Sequence, residues 1–208
     1  MLKAIVVDDH PFIRSSVKML LKQEQFEVVA EADNGADAVQ LAREYAPDLI
    51  VLDIAMPKLD GLEVISRISA LGLSSKILVL TSQSALFYSM RCMKAGAAGY
   101  ISKTNDLDEL IKAIKAVMDG YTFFPNLATS SVRRSDVDTS DLELIQSLSD
   151  RELAILQQLS NGLSNKEIGE AMLLSNKTVS TYKTRLIEKL KVKSVVYLAD
   201  FAKRNNLV

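Results

Sequence analysis

Cysteine is nearly absent from the 208 residues: Cys92 stands alone. That excludes an intramolecular disulfide framework and a cysteine-built zinc site. Trp is missing, aromatic residues make up 6%, and there are only 4 Pro and 8 Gly. No apolar run approaches the roughly 18–20 residues needed to span a bilayer. The N-terminal stretch reaches the paired acids Asp8-Asp9 too soon for a signal peptide. No Gly-rich turn follows the first apolar run, which leads instead into Asp8-Asp9-His10-Pro11, so a dinucleotide-binding enzyme is disfavoured. The expectation is a soluble, cytoplasmic chain with no membrane partner. What is present is a 48% hydrophobic composition, that of an ordered globular protein, at a length suited to one large domain or two small ones.

An excess of charge is also lacking, since 25 Lys+Arg face 26 Asp+Glu for a net of -1. That near-neutrality conceals a division. Residues 1–145 carry 15 basic and 20 acidic side chains, a net of -5, whereas residues 146–208 carry 10 basic and 6 acidic, a net of +4. An acidic first part joined to a basic second part implies two domains with different partners.

The first 120 residues alternate between short β-branched runs and longer stretches of helical period. Strands are expected at Ala4–Val7, Phe26–Ala30, Leu49–Leu52, Ile77–Leu80 and Ala98–Ile101. Helices are expected at Pro11–Glu24, Ala36–Tyr45, Leu62–Leu71, Leu86–Lys94 and Leu107–Met118, the last with Asp106 and Glu109 spaced as a capping box. Strict alternation with continuously apolar strands predicts an α/β fold, a doubly wound five-stranded parallel sheet covered on both faces. The chain changes character over 125–148, a polar run rich in Ser, Asp and Arg, and residues 122–145 read as an interdomain linker with a short helix near Leu142–Gln146. Residues 146–208 are helical throughout. Ser149/Glu152 and Ser164/Glu167 form capping boxes, Asn161-Gly162 marks a stop, and Ser175 and Ser194 cap two further helices. The spacing predicts a small all-α, four-helix, helix-turn-helix domain.

Asp8-Asp9 end the first strand and Asp53 the third. In a doubly wound sheet these carboxyl ends form the functional edge, so three carboxylates converge. Such carboxylates repel unless a cation lies among them, and oxygen-only ligation suits Mg²⁺. Thr81 ends the fourth strand, and Lys103 follows the fifth with an ammonium able to pair with acids or a phosphoryl oxygen. The competing reading is that these acids merely cap loops and open helices.

Asp8-Asp9, Asp53 before Met56-Pro57, Thr81, Tyr100 and Lys103 together make residues 1–121 resemble the receiver domain of two-component response regulators, a CheY-like, flavodoxin-like fold. Leu148-Ser149-Asp150-Arg151-Glu152, Gly162-Leu163-Ser164-Asn165-Lys166-Glu167-Ile168 and Ser175-Asn176-Lys177-Thr178-Val179 make the C-terminal part resemble the LuxR-type helix-turn-helix. The ordered set resembles the NarL/FixJ family. Leu52-Asp53-Ile54, Pro57–Ile65 and Ser175–Leu186 are similar to its BvgA-like branch. The resemblance implies that Asp53 accepts a phosphoryl group from a sensor histidine kinase or histidine phosphotransfer protein. It implies that Asp8, Asp9, Asp53 and the Ala55 backbone carbonyl hold Mg²⁺. It further implies that Lys103 and Thr81 contact phosphoryl oxygens and that Tyr100 turns inward with Thr81. Slow loss of the phosphoryl group, rather than turnover of a substrate, is implied, so the chain is not expected to be a classical enzyme. One departure stands out: many receivers carry a cis proline after the lysine, and here the residue is Thr104.

On the expected recognition helix, Asn176–Leu190, the residues Val179, Tyr182, Leu186 and Leu190 share one face. The other face holds Lys177, Ser180, Thr181, Thr184 and Arg185, hydroxyls that can meet base edges beside cations that can meet phosphates. The resemblance matches Ser180, Thr181 and Thr184 to base-reading positions and gives Lys177, Lys183 and Arg185 mainly phosphate contacts; Lys166, ahead of the preceding helix's first turn, can reach the backbone too, and Asn176 belongs to the same DNA-binding set. It also implies a homodimer on double-stranded promoter DNA, formed through the last helix, Val195–Arg204, with RNA polymerase as a further partner. Two alternatives stay open: a regulator acting independently of phosphorylation, and a Mg²⁺-dependent phosphotransferase with an Asp nucleophile, against which Ala55 stands where such enzymes resemble Asp-x-Asp. His10 is expected to be a loop residue rather than a ligand, and Cys92 to be structural or partly exposed, with no redox role.

Overall fold

The structure, a computed structural model, describes residues 1–56, 61–104, 106–125 and 139–208. The Pro57-Lys58-Leu59-Asp60 part of the expected receiver motif and most of the Pro125–Ser131 linker stretch lie outside the described residues. The chain divides into two compact units, Met1–Pro125 and Asn126–Val208.

The first unit is built from β1 (Leu2–Val7), α1 (Pro11–Gln23), β2 (Phe26–Ala32), α2 (Gly35–Tyr45), β3 (Leu49–Leu52), α3 (Gly61–Ala70), β4 (Lys76–Thr81), α4 (Ala85–Ala95), β5 (Gly99–Ser102) and α5 (Leu107–Met118). The strands are all parallel in the order β2-β1-β3-β4-β5. The order reverses beside β1, so the gap between the ends of β1 and β3 is the switch point of the sheet. Continuous burial of Ala4–Val7 and Leu49–Leu52 explains the unbroken apolar strands, because helices cover both faces. Val17 and Leu21 of α1 and Leu110 and Ile114 of α5 close one face over Val6, Val51 and Leu78. Each such buried aliphatic side chain contributes about 1.5–3 kcal/mol.

After α5 the chain returns to the edge strand, a contact absent from the expected pattern. The Phe123 N–H donates to Ala98 O at 3.0 Å and the Tyr100 N–H donates to Phe123 O at 2.7 Å. Gly99 permits this approach, since a Cβ there would lie 3.0 Å from Phe123 O and 2.7 Å from a Leu78 methyl.

The second unit contains α6 (Thr139–Gln146), α7 (Asp150–Ser160), α8 (Asn165–Met172), α9 (Asn176–Lys189) and α10 (Val195–Arg204). Ser149/Glu152 and Ser164/Glu167 form reciprocal capping boxes, and Ser175 accepts from the Thr178 N–H. Ser194 occupies the N-cap of α10 but makes no side-chain cap bond, unlike the cap expected there. Leu153, Leu156, Ile168, Val179, Leu186, Leu198 and Phe201 form a small core. The tight α8–α9 turn depends on Gly169, where a Cβ would lie 2.7 Å from the Leu174 carbonyl oxygen. The short helix expected near Leu142–Gln146 is α6, which starts earlier, at Thr139, and ends at Gln146, just past the stretch expected to be linker. Its buried Asp141 accepts from Arg204 Nε at 2.9 Å and from Asn205 Nδ2 at 2.9 Å, which ties α6 to the end of α10.

Candidate functional site

Pairing of β1 with its neighbours delivers the acids to one edge. The Asp8 N–H donates to Ala32 O at 3.1 Å and the Asp53 N–H donates to Val7 O at 2.8 Å. Both carboxylates are buried, Asp8 at 2% and Asp53 at 1% exposed. Lys103 comes from the loop after β5, where its N–H donates to Thr81 O at 2.8 Å. Its Nζ bridges the pair, 2.7 Å from Asp8 Oδ2 and 2.6 Å from Asp53 Oδ2. Burial alone would push the Lys103 ammonium down, but bonds to Asp53 and Asp8 outweigh it and hold the group above the usual lysine range.

The remaining carboxylate oxygens take main-chain donors. Asp53 Oδ1 accepts the Ala55 N–H at 2.9 Å, and Asp8 Oδ1 accepts the His10 N–H at 2.8 Å. Asp8, Asp9, His10 and Asp53 each offer a ligand atom within 4.8 Å of the others, so the acidic cluster can hold a cation. His10 flanks α1 as expected, yet its imidazole turns toward the acids, with Nδ1 2.8 Å from Asp9 Oδ1.

Thr81 is fully buried at the end of β4, and its Oγ1 accepts from the Gln83 N–H at 3.4 Å. Tyr100 lies inward, 1% exposed, and its hydroxyl donates to Gln83 O at 2.7 Å. Burial, reinforced by Cys92 and Asp53, pushes the Tyr100 phenol far above its ordinary range, so it serves only as a neutral donor. Thr81 and Tyr100 thus hold opposite sides of one residue's backbone. Cys92 is fully buried. No cis peptide bond occurs among the described residues, and the Lys103–Thr104 bond is among those.

In the second unit, Lys166, Asn176, Lys177, Ser180, Thr181, Thr184 and Arg185 are exposed and Lys183 is half-buried. Val179, Leu186 and Leu190 are buried on the opposite face of α9. Thr181 and Thr184 donate their hydroxyls to Lys177 O (3.0 Å) and Ser180 O (3.2 Å), so each hydroxyl keeps only acceptor capacity for a partner. Arg185 stacks over Tyr182 at 5.9 Å, and Lys166 lies 4.0 Å from Glu170.

Sequence reasoning missed Arg14, whose Nη1 donates to Asp8 O at 2.7 Å, and the backbone of Gln83. The only advance signal for Arg14 was a cation on the first turn of the helix that follows the acids.

Residues 4–115 match the family described as the response regulator receiver domain, and residues 146–202 match bacterial regulatory proteins of the luxR family. The chain is 54% identical to the virulence-factor transcription regulator BvgA of Bordetella pertussis over 205 residues, covering 99% of this chain and 98% of that protein. It is 49% identical to a transcriptional regulator of Pseudomonas aeruginosa, covering all of both chains. Among solved structures, the RcsB response regulator of Salmonella typhimurium is 25% identical with a TM-score of 0.75, covering 97% of this chain and 96% of that one. A receiver fold with its acids at the switch point, a LuxR-type helical unit and these full-length relatives place the chain in the NarL/FixJ family of two-component response regulators, transcription regulators rather than classical enzymes.

Proposed function

We propose that Asp53 is the phosphoacceptor of this regulator and that a sensor histidine kinase, or a histidine phosphotransfer protein, supplies the group. The observation that carries this is Lys103 Nζ lying between Asp8 and Asp53 at the switch point. An Asp53 carboxylate oxygen attacks phosphorus, an O–P bond forms, and the P–N bond to the donor histidine breaks with its electron pair going to nitrogen. Lys103 and Thr81 then hold phosphoryl oxygens, and Tyr100, already turned inward, is coupled to Thr81 through the Gln83 backbone they share.

Three carboxylates against one ammonium leave an excess of negative charge and a hard oxygen donor set, which fits Mg²⁺. Asp8, Asp9, Asp53 and the Ala55 carbonyl would hold it, and the bound ion shields the charge of nucleophile and phosphoryl group. The receiver is assigned to residues 1–121, the linker to 122–145 and the DNA-binding domain to 146–208. The exposed α9 residues read promoter DNA as the face of a homodimer, with RNA polymerase as a further partner, in the cytoplasm. Among the described residues no helix is long and apolar enough to cross a membrane.

The test is labelling by acetyl phosphate or the kinase. Asp53→Asn is expected to abolish it, and labelling at the wild-type level would refute the assignment. Genome-wide binding maps of wild type and Asp53→Asn then report targets and phosphate dependence together.

A further inference from the structure

Arg14 plays no part in the proposed chemistry, yet its side chain is committed to the acidic site. It lies six residues after Asp8, and its Nη1 donates to the Asp8 main-chain carbonyl oxygen at 2.7 Å. Its Nε is 3.5 Å from Glu31 Oε2, the same oxygen that the Lys18 ammonium approaches at 2.7 Å. Lys18 and, to a lesser extent, Arg14 hold the Glu31 carboxyl below its usual range, so Glu31 is a lasting counter-charge. Only 18% of the Arg14 side chain is exposed.

On Coulomb grounds alone a largely buried guanidinium beside a cation site is a disadvantage, because it repels the ion. Its geometry supplies the compensation. Asp8 is anchored through its N–H to Ala32 O, through its carboxylate to Lys103 and the His10 N–H, and through its carbonyl to Arg14. The last of these fixes the peptide plane between Asp8 and Asp9, and the directions of both carboxylates depend on that plane.

We propose that Arg14 is a positioning residue, its charge balanced by Glu31, that sets the Asp8–Asp9 peptide so that both carboxylates converge on a divalent cation. The proposal rests on the acidic cluster being a cation site.

The test is Mn²⁺ binding to the full chain, followed by the paramagnetic resonance signal of free Mn²⁺. Arg14→Met is expected to weaken Mn²⁺ about tenfold, the loss typical of removing an outer-shell partner. Binding equal to or tighter than wild type would overturn the proposal, because pure charge removal acts in that direction. Arg14→Lys keeps the charge and one donor and should fall closer to wild type than to Arg14→Met. A loss as large as that of Arg14→Met would mean that Asp8 is not held through this bond. If Arg14→Met does not fold, Arg14→Gln replaces it under the same criteria. A wild-type chain that does not bind Mn²⁺, or binds it equally after Asp53→Asn, would overturn the cation-site reading and this inference together. A failure confined to the Arg14 variants overturns the inference alone.

Discussion

Replacing Lys103 by Met tests the central arrangement, because it removes the ammonium and keeps much of the volume. Two carboxylates, 2% and 1% exposed, would then face each other with ligand atoms no more than 4.8 Å apart. At that separation and an effective dielectric near 20, two unit charges repel by about 3–4 kcal/mol. Mutational experience with one-sided removal from buried ion pairs gives about 3–5 kcal/mol, so the two routes agree. The first unit of Lys103→Met should therefore unfold at much lower urea than wild type when no divalent ion is present. Mg²⁺ should return part of the loss, since an ion at one hundred times its Kd stabilises by about 2.7 kcal/mol. It should stabilise the variant more than the wild type, where the ammonium already occupies the acids. The assay is urea unfolding of the full chain by circular dichroism with and without Mg²⁺. A variant within about 1 kcal/mol of wild type, or equal Mg²⁺ stabilisation of the two, would refute the reasoning. The pH dependence has a defined sign. Because Lys103 titrates above its ordinary value, its contribution is complete below about pH 10.4 and disappears as pH rises through the raised value. Lys103→Met should lack that alkaline loss.

Glu152 is buried under Lys189 and capped by Ser149. Burial raises its carboxyl, but Lys189 and Ser149 outweigh this and keep it below the usual range. Its contribution is therefore present above about pH 4.3 and lost as pH falls through the lowered value. Glu152→Gln should cost about 1–2 kcal/mol, discounted because Lys189 is 42% exposed, and should flatten the acid limb of the melting curve. Gly169→Ala should lower the melting temperature, since a Cβ 2.7 Å from Leu174 O costs about 1–3 kcal/mol against roughly 1 kcal/mol gained in helix propensity; an unchanged melt would remove the steric argument. Lys177→Ala should weaken binding to all DNA sequences alike and reduce the salt slope by about one. Thr184→Ala should instead alter preference at one base position, and an unchanged binding profile would count against base reading there.

The elements of both units were legible in the sequence because they rest on local patterns. Apolar runs such as Leu49–Leu52 and Ala4–Val7, and caps such as Ser149 and Ser164, state a backbone preference within a few residues. Alternation of strand and helix implied the parallel sheet, and the sheet implied that Asp8, Asp9 and Asp53 meet at one edge. What the sequence by itself determined is therefore the residue types and the elements that carry them. Tertiary structure alone decided which of them bond. Lys103 takes Asp53 across 50 residues and Arg204 takes Asp141 across 63. Arg14, Thr81 and Tyr100 bond to main-chain groups of Asp8 and Gln83. Every residue carries a carbonyl and nearly every one an N–H, so a bond to the backbone leaves no mark on the identity of its partner. Only the closed fold, by bringing particular peptide planes within reach, selects among them.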